Sequence, residues 1–122
     1  MSDYTFYVGH LRFIANRTGR VNDEVSRMMD ILDDIASQIE TKSAFKLKAE
    51  DLRLGSRALA GVAGFLQKQI LPEVVAAQNE VGEKQVRWVI DTSMAFTSKI
   101  LMHAEITSDK DDLELDLPKA PS

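Results

Sequence analysis

Cysteine is absent from the chain, which excludes a disulfide framework and a thiolate metal site and makes a reducing compartment the expectation. Histidine is nearly as scarce. His10 and His103 are the only two, and two imidazoles alone do not close a zinc site, so no metal and no cofactor are expected. Long apolar runs are missing too: the longest uncharged stretch, ALAGVAGFLQ, is about half the length a membrane span needs. The N-terminal stretch MSDYTFYVGHLRF has no basic leader and places His10 and Arg12 among its apolar residues, so it does not read as a signal peptide. A cytoplasmic protein is the expectation. Catalytic signatures are also lacking. There is no Gly-x-Ser-x-Gly elbow and no Glu-x-x-His pair, and the glycine-bearing stretch LRLGSRALAGVAGF carries no phosphate-loop lysine, so the expectation leans away from an enzyme.

The composition that is present is ample for a fold. A hydrophobic share of 44% in 122 residues is enough for one compact core, though not for two. The net charge of −4 argues against nucleic acid as the main partner. Charge alternates along the chain: residues 1–20 are net basic, 21–41 acidic, 42–57 basic, and 107–122 acidic. Neighbouring helices of opposite sign would attract, although exposed pairs of this kind contribute only a few tenths of a kcal/mol each.

Helical period dominates. Val21, Val25, Met28, Leu32, Ile35 and Ile39 alternate spacings of four and three, with Asn22 placed as an N-cap and Asp23 and Glu24 in the first turn. Phe45, Ala49, Leu52, Ser56, Leu59, Ala63, Leu66 and Ile70 repeat the pattern up to Pro72, where a helix end followed by a new start with Pro72 at N1 is expected. Val75, Gly82, Val86, Val89, Ser93, Phe96, Ile100 and His103 continue the same register. Continuous helix over 72–106 would be about 50 Å long. A break is therefore expected in NEVGEK, at Gly82. Residues 4–17 make a shorter helix with Tyr7, Leu11 and Ile14 on one face. These features predict an all-α antiparallel bundle of about four helices over residues 1–106, followed by a flexible acidic tail over 107–122.

Two surfaces stand out for partners. Ser56, Ala60 and Gly64 lie four apart and form a strip without ridges, flanked by Arg53 and Arg57, along which a second helix can come close. In the tail, Leu113, Leu115 and Leu117 alternate with acids as a strand-adding segment does. The function expected is a non-enzymatic interaction module (adaptor, assembly or regulatory subunit) with a protein partner or a second copy, a homo-oligomer being expected. A structural subunit of a phage or secretion assembly fits the composition as well.

A further motif is catalytic in kind. DDIASQI sets Asp34 and Gln38 four apart on one exposed helix face. This spacing is similar to the Asp-x-x-x-Gln motif of the chemotaxis response-regulator phosphatases, which are helical bundles, and the tail KDDLELDL is similar to their receiver-binding end. The resemblance is confined to these residues. It implies that Gln38 would orient an attacking water and Asp34 would bind a phosphorylated receiver domain.

Overall fold

The structure is a computed structural model that describes residues 4–106 and 111–121. It is mostly helical with one small sheet. The order is α1 (Thr5–Arg17), α2 (Asp23–Thr41), β1 (Ala44–Leu47), α3 (Leu52–Phe65), α4 (Leu71–Ala76), α5 (Glu80–Ile106) and β2 (Leu113–Asp116). A short 3-10 turn, Ala49–Asp51, leads into α3. Among the described residues, no helix is long and apolar enough to cross a membrane.

Helix α2 starts as its sequence requires, with the Val25 amide donating to Asn22 Oδ1 at 2.8 Å and Asp23 and Glu24 in the first turn. Its apolar stripe, from Met29 through Leu32 and Ile35 to Ile39, is buried. Helix α1 packs on α2 and also reaches α5, where Tyr7 and Ser93 share a hydrogen bond of 2.9 Å. Burial pushes the Tyr7 phenol far above the usual tyrosine range, so it stays neutral while Ser93 Oγ satisfies its hydroxyl. The most extensive helix contact is between α3 and α5, which bury Leu59, Val62, Leu66, Val86, Val89 and Phe96. There Thr97 Oγ1 donates to the Ser93 carbonyl at 2.9 Å and to the Ser56 carbonyl at 3.3 Å, which satisfies the buried Thr97 hydroxyl.

Four expectations need correction. Residues 44–47 are a strand, not the start of a helix. Phe45 and Leu47 alternate with Lys46 and Lys48, and this period of two prevails once a partner strand is available. That partner is the second correction: the segment expected to be a flexible tail contains β2, antiparallel to β1 with Phe45 opposite Leu115 and Leu47 opposite Leu113. Leu115 and Leu117 are only 3% and 9% exposed, so they belong to this chain's own core instead of to a partner, and Leu113 is partly buried. Residues 107–110 and 122 of that expected tail lie outside the described residues.

The third correction is at Pro72: α4 does start there, with the proline in its first turn, but the chain stays helical across the junction instead of ending and restarting. Residues Leu66–Ile70 widen into a π-helical turn in which the Leu71 amide bonds to the Leu66 carbonyl, five residues back. Widening the turn keeps the chain helical around a proline that lacks an amide and would crowd the carbonyl of residue 68. The break expected between residue 72 and residue 106 is present, but it falls at Gln78 and Asn79 instead of at Gly82, a fourth correction that concerns its position. Gln78 takes a left-handed φ of 57°, its amide bonds to the Val75 carbonyl, and the Asn79 amide reaches back to the Val74 carbonyl. Asn79 then caps α5 by accepting from the Gly82 amide at 2.9 Å. Gly82 is the residue the cap lies against: a Cβ there would meet Asn79 Nδ2 at 2.7 Å.

Candidate functional site

The small-residue strip divides when placed in the fold. Ser56 is buried against α5, whereas Ala60 and Gly64 are partly exposed, and a Cβ built on Gly64 would meet no atom within 4 Å. Arg57 pairs with Glu24 of α2, and Arg53 is exposed. The close approach is made by Gly55 instead, whose added Cβ would meet Leu47 Cδ1 at 3.0 Å, so this glycine seats β1 on α3.

Beside the strip lie two apolar depressions that together make a groove, one walled by α1 and Ile70 and the other by α1, α2 and α3. One, of about 480 Å³, lies among Phe6, Gly9, His10, Phe13 and Ile70. The other, of about 390 Å³, lies among Ile14, Arg17, Met28, Gly61 and Phe65. Phe13 and Phe65 meet between them at 6.1 Å, and the Arg17 guanidinium stands 5.5 Å from one ring and 5.8 Å from the other. Phe13 is 45% exposed. Of the described lining residues, Arg17 and His10 are the only ones that carry or can acquire charge, and none is acidic.

Glycine lines both walls of this groove. Gly9 on α1 and Gly61 on α3 are helix-interior, exposed and without a neighbour within 4 Å of an added Cβ, and the partly exposed Gly64 one turn on has none either. Each weakens its helix by roughly 0.5–1 kcal/mol relative to alanine, and nothing in the described fold occupies the space so left. Sequence reasoning found Gly64 through its spacing. It missed Gly9, because one glycine in a short apolar helix carries no periodic signal.

His10 sits in the groove with its ring edge-on to Phe6 at 4.4 Å, and partial burial lowers its pKa from the ordinary 6.5. The folded state therefore prefers neutral imidazole, while the unfolded chain takes up a proton first as the pH falls. Stability attributable to His10 is complete above 6.5 and declines as the pH drops below it. Urea midpoints measured between pH 7.5 and 5 should show this decline, and it should be smaller in His10→Leu. His103 lines a different depression, against β2, so the two histidines are not brought together. Among the described residues, no cluster of three or more metal-ligating side chains occurs.

Asp34 and Gln38 do share a face of α2, but Gln38 is occupied. Its Nε2 donates to the Lys46 carbonyl and to Asp34 Oδ2, both at 3.0 Å, and its Oε1 accepts from the Lys46 amide at 2.7 Å. Lys46 faces away from β2, so the Gln38 amide stands in for a neighbouring strand on that edge of β1. Replacing Gln38 with alanine leaves both Lys46 groups to water and is expected to cost about 1 kcal/mol in a urea unfolding titration. A glutamine held at both ends in this way is not poised to orient a water molecule.

Compared with known proteins, the chain matches no family model, no curated protein and no solved structure.

Proposed function

We propose that the protein is a helical interaction module, an antiparallel bundle whose working surface is the groove between α1 and α3. Its occupant is one amphipathic helix of a protein partner, with its apolar face toward Phe13 and Phe65 and an acidic residue toward Arg17. The observation that carries this is the glycine content of this surface: Gly9 and Gly61 line the two depressions, Gly64 follows one turn beyond Gly61, and a Cβ added to any of them would meet no atom within 4 Å. A helix laid in the groove uses that space, because glycine walls let backbones approach more closely than the usual 8–10 Å between axes (an approximate range). The Arg17 guanidinium over both rings, with no acid among the described lining residues, supports an acidic residue on the partner helix.

The test is selection from a displayed library of randomised amphipathic helices, followed by amide chemical-shift mapping. Selected helices should carry apolar residues at i, i+3 or i+4, and i+7 with an acid at one end, and should shift the resonances of Gly9, Phe13 and Gly61. Gly61→Leu should abolish their binding while the circular dichroism is unchanged. Helices that shift resonances elsewhere, or that bind Gly61→Leu equally well, overturn the proposal. If sedimentation instead shows a dimer that Gly61→Leu dissociates, the occupant is a second copy.

A further inference from the structure

The two-stranded sheet has an edge that none of the described residues uses. The Leu117 amide donates to the Ser43 carbonyl at 3.1 Å, and the pairs Phe45–Leu115 and Leu47–Leu113 follow in the same phase, so the backbone groups of these residues face one another across the sheet. Glu114 and Asp116 fall between them, with their amides and carbonyls on the opposite, outer side of β2. Lys46, the residue opposite Glu114, also turns its backbone away from the partner strand, and there Gln38 satisfies it. Among the described residues, nothing does the same for Glu114 or Asp116. Beside that edge lies a depression of about 350 Å³, whose other wall is the Lys99, Met102, His103 and Ile106 stripe of α5. Met102 and Ile106 are 60% and 78% exposed, an unusual state for two large apolar side chains next to unpaired backbone.

We infer that the outer edge of β2 receives an extended segment of a partner protein, which adds as a third strand and carries lysine or arginine at alternate positions. The open amides and carbonyls supply directional bonds, and the side-chain chemistry selects the occupant. Residues of the added strand opposite Glu114 and Asp116 stand beside two carboxylates that have no ion pair among the described residues, whereas Asp112 is already engaged by Lys46 at 3.4 Å and by the Ala49 amide. Intervening residues point toward Met102 and Ile106, so the segment reads basic–apolar–basic. A second copy does not fit. Any two-fold pairing of this edge sets Glu114 or Asp116 against an acid of the other chain, and like charges directly opposite are destabilising. The inference does not depend on the groove between α1 and α3, which lies on other elements.

The probe is a capped peptide of alternating lysine and valine, titrated by fluorescence anisotropy against the full chain. It should bind at least about tenfold more tightly than an alternating glutamate–valine peptide, the difference expected from reversing two cross-strand charge pairs. Exchange of the Glu114 and Asp116 amides should slow on binding. In the added strand, the lysine backbone groups make the bonds and the valine groups face away, so N-methylation of the lysines should abolish binding and N-methylation of the valines should not. The double substitution Glu114→Lys, Asp116→Lys should transfer the preference to the glutamate–valine peptide; if that variant does not fold, the two methylated peptides decide the matter with the wild-type chain. Equal binding of both methylated peptides would mean plain charge attraction and would overturn the inference. Unchanged exchange at Glu114 and Asp116, or a self-association that the same double substitution removes, would also overturn it.

Discussion

Removal of residues 111–122 is expected to destabilise the fold by about 4 kcal/mol or more, since two largely buried leucine side chains stabilise by roughly 2 kcal/mol each before the ladder is counted. Those leucines are Leu115, opposite Phe45 on the inner face of the sheet, and Leu117, whose amide bonds to the Ser43 carbonyl just beyond it. Without β2, Phe45 is left on a lone strand, and its edge-to-face contact with Phe96 at 5.1 Å becomes open to water on one side. The Ala49 amide also loses Asp112 Oδ1, and Lys46 loses its partner, at the turn that leads into α3. Urea titration of the shortened chain should give a midpoint well below that of the full chain. Proteolysis should cut first around β1, which depends on the missing strand. A dispensable tail would leave both measurements unchanged.

This strand pair also shows where the sequence was legible and where it was not. Helices α1 and α2 could be read directly, because the spacing of their apolar residues is local and Asn22 marks a start by its own hydrogen bond. β1 could not be read in the same way. Phe45, Ala49 and Leu52 satisfy a helical spacing, and the competing alternation of Phe45 and Leu47 with Lys46 and Lys48 is too short to outweigh it. What decides the contest is a segment more than sixty residues away, Leu113 to Leu117, with the same period and the opposite charge. Basic and acidic alternating segments in one chain were the available signal, and they become informative only when compared with each other. Pro72 and Gly82 misled for a different reason. Both disfavour helix in isolation, but a π-helical turn absorbs the first and the Asn79 cap lies against the second. The site was half legible: Gly64 stood out by spacing, but the groove depends on how α1 crosses α3, and no local pattern encodes that crossing.

Replacing Gly9, Gly61 and Gly64 together with alanine is the second large effect, and its sign runs opposite to the usual result of mutation. All three positions are helical with open space at Cβ, so alanine restricts the unfolded chain and strengthens the helix without meeting a neighbour. The combined gain should be about 2 kcal/mol, with near-additivity between α1 and α3 because those sites share no partner. Gly55 supplies the internal control. Its added methyl would meet Leu47 Cδ1 at 3.0 Å, so Gly55→Ala should gain nothing. A more stable protein that has lost an interaction is the expected signature of residues kept for a surface instead of for the fold.

The decisive measurement is therefore a pair of titrations on the wild-type chain and on the Gly9→Ala, Gly61→Ala, Gly64→Ala variant: urea unfolding, and binding of a helix selected on the wild type. A variant that is more stable by about 2 kcal/mol and binds the helix at least tenfold more weakly is the expected result. A variant that is less stable than wild type, or that binds the helix equally well, would show that the glycines serve the fold or nothing at all, and would contradict the groove as the working surface.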